Sequence, residues 1–263
     1  NGLWHTPWCR DNCVRAPLES RRMGYMEAES FRCNHDFHSL EREVQPIFKI
    51  PDYKMCEIPN GINVGKIKRQ VDPGKIKRNY GIHPCLPVVL FTGRMSYQKG
   101  PDLLVEAAAK VLRKRDAQFV LIGEGEMRTH CEYQAQKLGI GNSCNFLGYA
   151  PDNTLIDWYN ACDLVCVPSR NEPFGIVVLE AWDAQKPVVA SDAVALVENF
   201  RTGIIAHKEP SSIAWGLNYV LEGLGRNRMG EKGYDLLKKR YNWETIARKT
   251  IEVYEKVMEK MSI

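Results

Sequence analysis

From Pro87 onward, short runs of apolar residues alternate with stretches in which apolar positions recur every three or four residues. The runs at 87–91, 119–122, 145–147, 164–167, 188–190 and 203–206 are too short for helices and read as strands buried on both faces. Between and after them, helical periodicity predicts helices over about 101–115, 126–138, 153–160, 175–184, 212–221, 226–240 and 243–261. Pro101 suits a first helical turn, and Leu103, Leu104, Ala107, Ala108 and Val111 then share one face. Six strands alternating with helices predict an α/β fold, a doubly wound parallel sheet covered on both sides. Such a sheet binds ligands beyond the carboxyl ends of its strands, so the loops after those runs are where chemistry is expected. Upstream, residues 1–59 show no strand alternation except a short strand at 55–58, which the turn Pro59-Asn60-Gly61 ends. Helix-like patterns cover 18–32 and 39–48.

At 263 residues, 44% hydrophobic and 26% charged, the chain can bury a core without disulfides or metal, which excludes disordered and fibrous classes. Its longest apolar stretches, 88–91 and 176–179, are far too short to span a bilayer. The first residues, with Trp4, His5, Pro7, Cys9 and Arg10, lack the basic start and apolar run of a signal peptide. The chain opens on Asn1 rather than Met, which fits a piece of a longer protein. Nine cysteines with no CxxC spacing predict reduced thiols and a cytoplasmic setting. Cys162 and Cys166 read as small buried hydrophobes. His35 and His38 read as structural histidines on a helix, and no metal is expected. A net charge of +4 is too mild to imply nucleic acid. The most basic stretch, Lys66, Lys68, Arg69, Lys75, Lys77 and Arg78, has no interleaved aromatics and reads as a solvated loop beside an anionic ligand site.

Three loops carry candidate chemistry. Gly93-Arg94 and Lys99-Gly100 hold two cations five residues apart after the first strand of the sheet. They suit a diphosphate, or equally an ordinary basic surface loop. Gly123-Glu124-Gly125 lacks the third glycine of a dinucleotide fingerprint and reads as a tight turn with positive φ, which rules out an ordinary NAD-type site. The third segment, Asn171 to Ala181, is the most informative. Pro173 and Gly175 shape a turn into an apolar helix whose first amides, at Gly175, Ile176 and Val177, would be free donors for an anion. Glu172 precedes that helix and Glu180 lies just over one turn inside it. Together they could hold two ends of an elongated polyhydroxylated ligand; otherwise Glu180 is a buried acid paired with a lysine.

With Ile58-Pro59-Asn60-Gly61-Ile62-Asn63, Gly93-Arg94, Tyr97 to Gly100, Phe146 to Tyr149 and Pro168 to Ala181 on the page, the chain resembles a known family. It is similar to the retaining nucleotide-sugar glycosyltransferases of family 4, of the glycogen and starch synthase type, over about residues 30–260. Seven residues separate Glu172 from Glu180, as in that family's paired-glutamate motif. The resemblance implies the GT-B fold, built of two Rossmann-like domains, with this chain holding the donor half. Residues 1–50 would be a helical remnant of the N-terminal domain and crossing, 51–240 the Rossmann-like nucleotide-sugar domain, and 241–263 a helix returning toward the absent domain.

The resemblance also implies roles. Arg94 and Lys99, after Gly93, would grip the donor diphosphate, Glu172 would contact the sugar ring, and Glu180 would hold the ribose hydroxyls. Main chain at Phe174, Gly175 and Ile176 would meet sugar and phosphates, and that around Tyr149 and Ala150 the base. The implied activity is retaining transfer from an NDP-sugar, ADP- or UDP-glucose, to a saccharide acceptor, with no cofactor and no metal. Because most of the acceptor domain would be absent, the isolated chain is expected to bind donor without full turnover and to self-associate through uncovered apolar faces. Two readings stay open beside it: a non-catalytic nucleotide-binding or interaction domain, and a nucleotide-sugar epimerase of the same architecture. One departure is the run Asp192 to Phe200, which lacks the family's glycine pair.

Overall fold

The computed structural model describes residues 32–35, 47–49, 51, 55–223 and 225–261. The chain divides into two compact units, Pro59–Ile246 and a smaller one made of Asn1–Ile58 with Ala247–Ile263. In the smaller unit, β1 (Arg32–His35) pairs in parallel with β2 (Met55–Ile58), with Arg32 opposite Met55 and His35 opposite Ile58. β2 was expected from its pattern. β1 corrects the expectation that no strand precedes it: Arg-Cys-Asn-His carries no apolar alternation, and its partner strand supplies the ladder. His35 therefore lies on a strand, so the helical spacing to His38 does not apply, and His38 falls outside the described residues. The helix-like stretches at 18–32 and 39–48 also fall outside them, apart from Arg32 in β1 and residues 47–48, which are helical.

The larger unit opens with α1 (Pro73–Asn79), which corrects the reading of the basic stretch as a loop. Asp72 caps this helix by accepting from the Lys75 amide at 3.0 Å, and Pro73 takes the first position, where its missing N–H costs nothing. Lys77 is buried rather than solvated: its ammonium donates to the Leu86 carbonyl at 2.7 Å and lies 3.4 Å from Asp163.

Then follow β3 (Val88–Thr92), α2 (Pro101–Leu112), β4 (Gln118–Ile122), α3 (Arg128–Lys137), β5 (Cys144–Gly148), α4 (Asp152–Ala161), β6 (Leu164–Val167), α5 (Ile176–Asp183), β7 (Val188–Ser191), β8 (Gly203–Ala206), α6 (Pro210–Leu221) and α7 (Arg226–Arg240). A final helix, α8 (Trp243–Met261), starts in this unit. The six strands form one parallel sheet in the order β5-β4-β3-β6-β7-β8. The doubly wound expectation holds.

Every residue of β3 is buried, as a central parallel strand covered on both faces requires. On one face α2 packs against α3 and α6, with Leu104, Ala107, Ala108, Val111 and Leu217 fully buried. On the other, α1 packs on α4 and α5 on α7, with Trp158, Tyr159 and Trp182 fully buried. Each fully buried large apolar side chain contributes roughly 1.5–3 kcal/mol. Cys162 and Cys166 are buried among them, and burial raises both thiol pKa values, so they behave as the small hydrophobes expected. The chain winds from β3 outward to β5, then returns to place β6 on the other side of β3. That reversal opens a crevice between the loops after β3 and β6.

Candidate functional site

The loops around this crevice are tied to one another by main-chain bonds. The Gly93 amide donates to the Ile122 carbonyl at 3.0 Å, Met95 to Glu124 at 2.8 Å, and Gly123 to Gly148 at 2.8 Å. Gly123 has φ +143°, and a Cβ there would sit 1.8 Å from the Gly93 carbonyl oxygen. The positive φ read from Gly-Glu-Gly is present, and the space it frees is filled by the neighbouring loop. On the other side the Arg170 amide donates to the Gln98 carbonyl at 2.7 Å, and the Arg170 guanidinium forks onto Asp102 at 2.9 and 2.6 Å. A bidentate pair of this kind fixes both loops in angle as well as distance.

Lys99 and Glu172, from the two loops that border the crevice, meet directly. The Lys99 ammonium donates to Glu172 Oε2 at 2.7 Å, and the Ser169 hydroxyl donates to the same oxygen at 3.0 Å. Glu172 is almost fully buried and needs such partners. Arg94 is exposed, and its side chain has no ion pair or hydrogen bond among the described residues. Since Lys99 is neutralised by Glu172, the uncompensated cation on this loop is Arg94.

Gly175 caps the start of α5 in the left-handed region, at φ +93° and ψ +51°, a conformation that a side chain disfavours. Its carbonyl accepts from Val178 at 2.8 Å, while the amides of Gly175, Ile176 and Val177 find no acceptor among the described residues. Three free N–H groups at the positive end of a helix dipole form an anion-binding element. Ile176 is exposed, whereas Phe174 is buried with its ring edge-on to Tyr241 at 6.2 Å.

Glu180 is 5% exposed and projects toward the end of β3. The Tyr159 hydroxyl, from α4, donates to Glu180 Oε2 at 2.6 Å. Tyr159 has one proton to give, so the Thr92 hydroxyl, 2.7 Å from the phenol oxygen, must be the donor in that second bond. The buried-acid alternative is thus half right: Glu180 is buried, but its partner is a tyrosine. Its pKa is raised to about 7, chiefly by burial and to a smaller extent by Asp152, with the Tyr159 bond and then the Lys66 charge opposing the rise. Burial and the charge of Glu180 raise the Tyr159 pKa in turn. Asp183, at the far end of α5, is wholly buried and accepts from the Gly65 and Ile67 amides, both at 2.7 Å. That clamp fixes the backbone on either side of Lys66.

The remaining candidates lie farther along the sheet. Tyr149 follows β5, is exposed, and donates its amide to Glu124 Oε1 at 3.2 Å; Ala150 beside it is buried. Glu124 is also paired with Arg128 at 2.6 Å. The structure therefore joins Lys99 with Glu172 directly, places Arg94 on the same loop as Lys99, and sets Tyr149 apart on the β4–β5 side. In the run Asp192 to Phe200, Val194, Leu196 and Val197 are buried, and a Cβ on Gly175 would lie 3.3 Å from Val194. Sequence reasoning missed Tyr159, Thr92, Ser169 and Asp183. A signal existed for the last, because an acid inside a helix of apolar residues must have a partner. Among the described residues no cluster of three or more His, Cys, Asp or Glu side chains is set to hold a metal, and no helix is long and apolar enough to cross a membrane.

A six-stranded doubly wound sheet with a cation, free helix-start amides and buried carboxylates at its switch point is an α/β Rossmann-like domain, and the solved structures that share this fold are GT-B glycosyltransferases. HepE of Anabaena, solved in complex with UDP-glucose, superposes with a TM-score of 0.75 at 24% identity, over 85% of this chain and 64% of that one. Residues 74–236 match the family "Glycosyl transferases group 1", and the chain belongs to that family. An uncharacterized glycosyltransferase of Methanocaldococcus jannaschii is 37% identical over 231 residues, covering 85% of this chain and 59% of the relative. A D-inositol 3-phosphate glycosyltransferase of Catenulispora acidiphila is 30% identical, covering 79% of this chain and 52% of the relative. The chain thus spans between half and two thirds of the length of these two curated relatives.

Proposed function

We propose that the unit Pro59–Ile246 binds a nucleoside diphosphate sugar, NDP-glucose by preference, as donor for retaining glycosyl transfer. The observation that carries this reading is the convergence at one switch point of the unpartnered Arg94, the free amides of Gly175 to Val177 and the buried Glu180. Arg94 and the helix start supply net positive potential for the leaving diphosphate, with Lys99 adding a point charge when Glu172 turns toward the sugar. Glu180 accepts from the ribose hydroxyls, and main chain near Tyr149 and Ala150 borders the base. The charge is then met without a metal ion. Six free cysteines among the described residues support a reducing, cytoplasmic setting. HepE, a solved neighbour captured with UDP-glucose, supports the choice of ligand class.

The acceptor has two readings. The glycogen-synthase resemblance favours a saccharide, whereas relatives named D-inositol 3-phosphate glycosyltransferases favour a phosphorylated polyol. A thermal-shift panel of ADP, UDP, GDP and their glucose conjugates tests donor binding, since ligands that bind only the folded state raise its melting point. Sugar transfer to maltooligosaccharide or to inositol phosphate then separates the acceptors. No shift with any of these nucleotides would overturn the donor reading.

A further inference from the structure

Away from the crevice, the second half of α2 and the outer face of α6 enclose a groove of about 320 Å³ that the donor reading does not use. Ser211, Trp215, Asn218, Tyr219 and Glu222 form a stripe along α6 at helical spacing and line one wall; Lys110 of α2 and Lys114, in the turn just after it, line the other. The inner face of α6, with Ile213, Leu217 and Val220, is already committed to the core. The stripe is therefore a second face with its own composition.

Three features of this face go beyond what folding requires. First, Trp215 is 52% exposed, and Phe200 beside it is 53% exposed. The Phe200 ring stands edge-on to both Trp215 and Tyr219, at 6.3 and 5.5 Å, and Trp215 lies 5.6 Å from Tyr219. Second, Phe200 has φ +59°, a left-handed conformation that costs energy for any residue with a Cβ and is held by its amide bond to the Gly203 carbonyl at 2.8 Å. A large aromatic is thus held in a strained turn while half its surface remains in water. Third, Lys110 and Lys114 are four residues apart with no ion pair among the described residues, whereas the neighbouring Arg115 is bonded to Asn218 at 2.9 Å and Glu222 at 2.7 Å. The groove therefore carries two uncompensated ammonium groups above an aromatic wall.

We propose that this groove binds an anionic saccharide, a pyranose ring bearing a carboxylate or phosphoryl group. The weakly positive C–H face of a pyranose lies against the negative face of an aromatic ring, so Trp215 is the stacking platform. Lys110 and Lys114 receive the anion as paired point charges, and Ser211 and the free oxygen of Glu222 meet ring hydroxyls. Concavity favours a compact ring over a bilayer, which needs protruding aromatics. The assignment rests on residues that share nothing with the donor crevice, so it stands or falls independently.

The test is calorimetry and Trp fluorescence on the 263-residue chain, with a galacturonate trimer, glucose 1-phosphate, maltotriose and inorganic phosphate as probes. Binding of at least one anionic sugar is expected to exceed that of maltotriose and of phosphate alone. Comparing the trimer with glucose 1-phosphate separates a glycan chain from a free sugar phosphate as the source. Trp215→Ala and the doubly substituted Lys110→Gln, Lys114→Gln should each weaken that binding by roughly tenfold or more, with UDP binding unchanged. Arg94→Ala should do the reverse. Loss of anionic-sugar binding in Arg94→Ala would place it in the donor crevice and overturn the proposal. So would unchanged binding in both groove variants, equal affinity for maltotriose, or capture by phosphatidylglycerol vesicles without binding of any sugar.

Discussion

The phenol of Tyr159 donates to Glu180 at 2.6 Å and in turn accepts from Thr92, linking the end of β3, the last turn of α4 and the interior of α5 through one buried chain. A carboxylate in this position would otherwise have to give up its charge or find a counterion. The tyrosine bond favours the charged form of Glu180 against the burial that raises its pKa, and it does so without a salt bridge. Tyr159→Phe removes that donor while preserving volume. Nucleotide affinity should then fall by roughly tenfold or more, the scale of a hydrogen bond to a charged group. On the proposed role of Glu180 toward ribose, inorganic pyrophosphate, which has no ribose, should bind as before. Equal losses for both ligands would assign the tyrosine to packing alone.

A second expectation concerns pH and stability. The folded Glu180 pKa, raised to about 7 chiefly by burial, exceeds the ordinary glutamate value of 4.5, so the folded state binds more protons than the unfolded state between those values. Stability from this group is therefore complete below about pH 4.5 and is lost as pH rises to about 7, on the order of 3 kcal/mol in all. Urea denaturation across that range should show a downward slope that Glu180→Gln flattens. Parallel curves for the two proteins would mean that Glu180 stays ionised throughout.

Arg94→Ala isolates the diphosphate. The side chain is exposed and unpartnered among the described residues, so its removal should leave the melting temperature within experimental error. Binding of a nucleoside diphosphate should weaken by roughly 1.5–3 kcal/mol, and that of the free nucleoside should not change. Calorimetry on both ligands reads the difference.

The six sheet strands were legible because parallel strands buried on both faces are written as short continuous apolar runs, such as Val88 to Phe91. Lys99 and Glu172 could be singled out because each is a charge in a glycine-bearing loop after a strand, although for Lys99 an ordinary basic surface loop was an equal reading. What escaped notice was polar pairing between distant segments. Nothing near Tyr159 in the chain announces that its hydroxyl will find Glu180, 21 residues away, or that Thr92 will be its donor. The same holds for α1, where a run of lysines hid a capped helix, and for Lys77, whose burial depends on carbonyls and an acid from elsewhere. β1 was missed because its register partner, not its own pattern, makes it a strand.

Asp183 offers a stability test that leaves the crevice alone. Both of its oxygens receive backbone amides at 2.7 Å, and the residue is wholly buried. Asp183→Ala strands two N–H groups, at a cost of about 1–3 kcal/mol each. Asp183→Asn keeps one acceptor and should recover part of that loss. If both variants denature at the parent's urea midpoint, the clamp on Gly65 and Ile67 contributes nothing to the folded state.

The Lys99–Glu172 pair calls for a cycle rather than a single substitution, because each residue pairs with the other and each also has a proposed role toward the donor. Lys99→Met leaves Glu172, only 7% exposed at its side chain, with Ser169 as its remaining donor. Breaking a buried pair on one side is costly, and the partial exposure of Lys99 reduces that cost to roughly 1–3 kcal/mol. Adding Glu172→Gln removes the stranded charge, so the double variant should recover most of the lost stability. Diphosphate binding should not recover with it, since the ammonium is still missing. The two readouts therefore separate: denaturation should show strong coupling between the sites, whereas nucleotide affinity should follow Lys99 alone. If the double variant restored affinity as well as stability, Lys99 would be a counterion to Glu172 and nothing more, and Arg94 with the α5 amides would have to hold the phosphates unaided.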